Sequence, residues 1–96
     1  MKTVFALFDI EKPELLAAAI ARVYPNDNLK LNARAWLIAA EGTSQSVCEA
    51  LGITVPGDPK GQPGALGGVM VVAASSYYGV ASPNVWEWMR AKWGSA

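Results

Sequence analysis

Asp9 is the first residue in this chain placed to do chemistry. It closes the apolar run Val4-Phe5-Ala6-Leu7-Phe8, and a carboxylate fixed at the end of a buried strand can hold Mg²⁺ through water. A neighbouring strand starting near Asn32 and Arg34 would bring those side chains to it. One carboxylate makes a poor metal site, so Asp9 reads first as a cap on the following turn or as an ion-pair partner of Arg34. A second group is Glu41, Thr43 and Ser44 ahead of one helical segment, with Ser75, Ser76, Tyr77 and Tyr78 leaving an apolar run. Hydroxyls beside a helix N-terminus can bind a small anion. The competing reading is that Thr43 and Ser44 cap the helix while the tyrosines pack with their hydroxyls outward. The third group is aromatic. Trp86, Met89 and Trp93 recur at helical spacing, with Trp88 off that line. Such rings either stack on unpaired bases or fill a core or subunit interface. Trp88 is the candidate for a partner contact.

Composition removes most other chemistry. The chain has no histidine and one cysteine, Cys48, which excludes Ser-His-Asp and Cys-His catalysis and zinc centres. Gly64-Ala65-Leu66-Gly67-Gly68 precedes an apolar strand, whereas a phosphate-binding loop follows a strand and opens a helix. No cofactor is implied. Eight basic and eight acidic residues cancel, which argues against grip on duplex nucleic acid. Without a nucleophile beside a base, the balance falls against an enzyme.

Ninety-six residues make one small domain spanning 1–96, with little core to spare. Yet 52% of the residues are hydrophobic and 17% charged, so a second copy of the chain is expected to cover part of that apolar surface. Lys2 and the apolar run after it start like a signal peptide, but Asp9, Glu11, Lys12 and Glu14 interrupt the run. Val69 to Ala74 falls far short of the ~20 residues that span a bilayer. The lone cysteine suits a reducing compartment. The expected location is the cytoplasm, with no membrane partner.

The elements that must position these groups follow from periodicity. Thr3 to Ile10 is an apolar strand, and Pro13 and Glu14 open a helix carrying Leu16, Ala19, Ile20 and Val23, which Pro25 ends. Leu29, Leu31 and Ala33 alternate with polar residues before the apolar run Ala35 to Ala40. This predicts two strands with a turn near Asn32 to Arg34, or one long bent strand. Thr43 or Ser44 caps a helix that stops at Gly52, with Ile53 folding back. Val55 to Gly64, rich in proline and glycine, is a loop expected to be mobile. Val69 to Ala74 is a strand, and Ser82-Pro83 starts a terminal helix closed by Gly94.

The order β-α-β-β-α-β-α predicts an α+β domain. Its economical form is a ferredoxin-like split βαβ, a four-stranded antiparallel sheet with two helices on one face plus a C-terminal helix. The run Val4 to Ile10 before a helix, then Ala35 to Ala40 before a capped helix, resembles the small ferredoxin-like CRISPR-associated endonucleases and their bacterial relatives. That resemblance implies a homodimer with Asp9 as a metal ligand between two subunits. This chain departs from the family in lacking basic helices and in adding a Trp-rich terminal helix. The leading expectation is a small bacterial-type homo-oligomeric domain acting by assembly or partner binding. The alternatives are a Mg²⁺-dependent nuclease or nucleic-acid-binding relative centred on Asp9, and a small-ligand binder at the Glu41/Thr43/Ser75/Tyr77 end.

Overall fold

A computed structural model describes residues 2–58 and 60–93. Four strands, β1 (Thr3–Asp9), β2 (Asn28–Asn32), β3 (Ala35–Ala40) and β4 (Val69–Ala73), form one sheet in the order β2-β3-β1-β4. Every neighbouring pair is antiparallel. With α1 (Pro13–Val23) between β1 and β2, and α2 (Ser44–Leu51) between β3 and β4, this is the split βαβ order expected of a ferredoxin-like domain. A third helix, α3 (Pro83–Lys92), follows β4. Gly94, the expected stop of that helix, lies outside the described residues.

Asn28 to Ala40 is two strands rather than one bent strand, joined across Ala33 and Arg34. Two-residue hairpin turns usually need positive φ, and no described non-glycine residue has it. Here the Asn32 side-chain oxygen accepts from the Arg34 amide at 2.8 Å, and the ladder absorbs the mismatch as an irregularity between Lys30 and Asn32.

Strand alternation divides the sheet's residues between two faces. Phe5 and Leu7 of β1 and Ile38 and Ala40 of β3 lie on one face, with Val69 and Val71 beside them. They pack with Leu16, Ala19 and Ile20 of α1 and Val47 and Leu51 of α2 as the main core. The opposite face carries Val4, Ala6 and Phe8, Ala35, Leu37 and Ala39, and Met70 and Val72. There α3 lies against β1. Val4, Ala39 and Met89 are buried.

α2 shows how local chemistry sets an element's limits. The Thr43 hydroxyl accepts from the Ser46 amide at 3.1 Å while the Ser46 hydroxyl accepts from the Thr43 amide at 2.8 Å, a reciprocal cap. Gly52 ends the helix in the left-handed region at φ 83°, and buried Ile53 donates its amide back to the Cys48 carbonyl at 2.9 Å. The chain returns at Gly64, whose amide donates to the Ile53 carbonyl at 2.8 Å. A Cβ on Gly64 would fall well inside contact with the Gly52 carbonyl oxygen. Gly64→Ala is therefore expected to lower stability by about 1–3 kcal/mol in urea unfolding. Thr43→Ala, which removes only the cap, should cost about 1 kcal/mol.

Candidate functional site

Asp9 ends β1 on the helix-covered face, opposite Val69 of β4. Its backbone amide donates to the Arg34 carbonyl at 2.8 Å, so the chain does bring Arg34 to it. The Asp9 side chain is wholly buried, and among the described residues neither carboxylate oxygen has a hydrogen-bond partner. The nearest opposite charge is the Arg34 guanidinium, 3.9 Å from Oδ1, which itself donates to the Ile10 carbonyl at 3.3 Å. A hard divalent cation takes six or more oxygen ligands. Among the described residues, no group of three or more histidine, cysteine, aspartate or glutamate side chains could hold a metal ion. A single buried carboxylate facing an arginine does not fit Mg²⁺ within one copy.

The second group is divided between the two sides of the sheet. β3 and β4 end at the same end, flanking the start of β1, since Ala40 pairs with Thr3 and the Ala74 amide donates to the Val4 carbonyl. Glu41 and Thr43 then lead into α2 on the core face. Tyr77 instead joins the aromatic rings of α3. It stacks on Trp86 at 5.9 Å between centroids and meets Trp93 edge-on at 4.8 Å. Thr43 caps α2, Ser44 is its first residue, and Ser75, Ser76 and Tyr78 are exposed. The structure therefore does not gather these hydroxyls around one point.

Trp88 sits more than half a helical turn from Trp86, away from the Tyr77 stack, and is half-buried. The sheet face beneath α3 keeps exposed apolar side chains. α3 covers the Val4 and Ala39 end, but Phe8 (40%), Met70 (52%) and Val72 (42%) keep large exposed fractions. Tyr78 and Val80, between β4 and α3, are fully exposed.

One cluster had no signal in the sequence. Asp27, in the turn after α1, accepts from Lys92 Nζ at 2.8 Å and from Lys2 Nζ at 3.0 Å. These residues are far apart in the chain, so no local motif could show them. The cluster ties the end of α3 to the start of β1. Hydrogen bonds from Lys92 and then Lys2 hold the Asp27 carboxyl below its ordinary value of 3.8. Cys48 is no substitute for a catalytic nucleophile, because burial, then the charge of Glu49, pushes its thiol up.

Compared with protein-family models, curated proteins and solved structures, the chain matches none. Among the described residues, no helix is long and apolar enough to cross a membrane.

Two outcomes follow from these geometries. If Arg34 offsets the buried Asp9 charge, Arg34→Met lowers stability by about 1–3 kcal/mol alone but changes little beside Asp9→Leu. Urea unfolding of the four proteins measures this, and equal cost in both backgrounds would show no coupling. For Asp27, the folded value lies below the unfolded one, so its stabilisation is fully present above the ordinary value. It is lost as pH falls through the folded value. Asp27→Asn should flatten that acid limb of the stability–pH curve, followed by tryptophan fluorescence.

Proposed function

We propose that this chain acts by assembling with a second copy of itself, which covers the part of the open sheet face that α3 leaves bare. The observation that carries the reading is the group of exposed apolar side chains Phe8, Met70 and Val72 on a sheet face whose other end is closed by α3. Contiguous apolar patches of a few hundred Å² on a soluble monomer usually mark an interaction site. A second copy suits this patch because the chain's net charge is zero, so two copies meet without net repulsion. The other candidate groups are already engaged within the fold. Asp9 is buried, the Thr43 hydroxyl is committed to its cap, and Tyr77 is stacked.

Sedimentation or light scattering should give twice the 10.2 kDa chain mass at micromolar concentration. Met70→Glu places a charge on the exposed patch without entering the main core, and is expected to weaken association at least tenfold with monomer folding retained. Trp88→Ala should weaken it by about 1–3 kcal/mol if its ring is an interface anchor. A chain of single mass at high micromolar concentration would overturn the reading.

A further inference from the structure

The sheet has two outer edges, and they are built differently. The β2 edge carries Lys30 and an irregularity between Lys30 and Asn32, devices that keep other strands away. The β4 edge is Val69-Met70-Val71-Val72-Ala73, with no charge, no proline and an uninterrupted register against β1. The Ile10 amide donates to the Gly68 carbonyl and the Ala74 amide to the Val4 carbonyl. Antiparallel alternation therefore turns the Met70 and Val72 backbone groups toward β1 and those of Val69, Val71 and Ala73 outward. Among the described residues, no backbone partner meets those outward groups.

We infer that the β4 edge is the seam at which two copies of this chain join, β4 pairing antiparallel with β4 across a two-fold axis at Val71. This rests on the self-association proposed above and supplies its geometry. With Val71 opposite Val71, residue 69 of each copy faces residue 73 of the other, and every outward N–H and C=O of Val69, Val71 and Ala73 finds a partner. On the open face, Met70 of each copy then lies across from Val72 of the other. These are two of the most exposed side chains of the patch, brought together in the closer, non-hydrogen-bonded type of cross-strand pair. Apolar meets apolar throughout, so the strand is self-complementary without a charge conflict. A stable interface takes roughly 800 Å² from each partner, and the edge, with exposed Tyr78 and Val80 following it, adds to the surface that Phe8, Met70 and Val72 offer. Because the β2 edge is guarded, pairing closes at two copies instead of propagating.

The test is amide hydrogen exchange on the unaltered protein across a concentration series, with mass measured on the same samples. As mass doubles, the amides of Val69, Val71 and Ala73 should slow by at least tenfold, while that of Lys30 on the other edge keeps its rate. Ala73→Pro, which removes an outward N–H that β1 does not use, should weaken association at least tenfold, whereas Ala73→Val, which keeps it, should not. A dimer whose Val69, Val71 and Ala73 amides exchange as fast as in the monomer would overturn the seam and leave self-association standing. A single mass at every concentration would overturn both.

Discussion

A sheet with two apolar faces needs two covers, and the rest of this molecule is organised by how unequally they are supplied. The core face receives α1 and α2, and its central side chains Phe5, Leu7 and Ile38 are fully buried. The other face receives one helix of 10 residues. At 1.5 Å per residue such a helix is about 15 Å long and about 10 Å wide with its side chains. Four strands spaced about 4.8 Å apart, each several residues long at about 3.3 Å per residue, present a larger area than that. The helix can close one end of the face and no more. Phe8, Met70 and Val72 are what it leaves uncovered.

The way α3 is held reflects the same shortage. Met89 is its one buried side chain among those described. Much of its anchoring lies around its rim, in the contacts of Tyr77 with Trp86 and Trp93 and in the pair of lysines on Asp27. Both anchors act at the Val4 end of the sheet, since Lys2 precedes β1 and Lys92 closes α3. Neither reaches the Phe8 and Met70 end. A cover pinned at one end leaves bare surface continuous with the uncharged β4 edge strand, which is where the proposed second copy would dock.

The elements of the fold were legible because local signals agreed with the tertiary answer. Pro13 at a helix start, Gly52 at a helix end and the unbroken apolar run of β1 each mean the same thing in isolation as in the folded chain. The β2–β3 turn was harder, since it lacks an Asn-Gly pair and closes through the Asn32 side chain instead. At the sites, sequence identified Asp9 and Arg34 as neighbours but carried no information on burial, which is what removes the carboxylate from solvent. It placed Tyr77 with Thr43 by strand end, although the chain after β4 turns to the other side of the sheet. The Asp27 cluster and the unguarded β4 edge depend on strand order and hydrogen-bond direction, and neither quantity is local in sequence.

The central claim is that folding and association share the same apolar face, and it is tested most directly by the protein-concentration dependence of the unfolding midpoint. Binding that favours only the folded state raises the midpoint by mass action. The account predicts that the thermal midpoint climbs steadily as chain concentration rises from low to high micromolar, and that Met70→Glu abolishes the climb. A midpoint that stays constant over that range in the unaltered protein would contradict it.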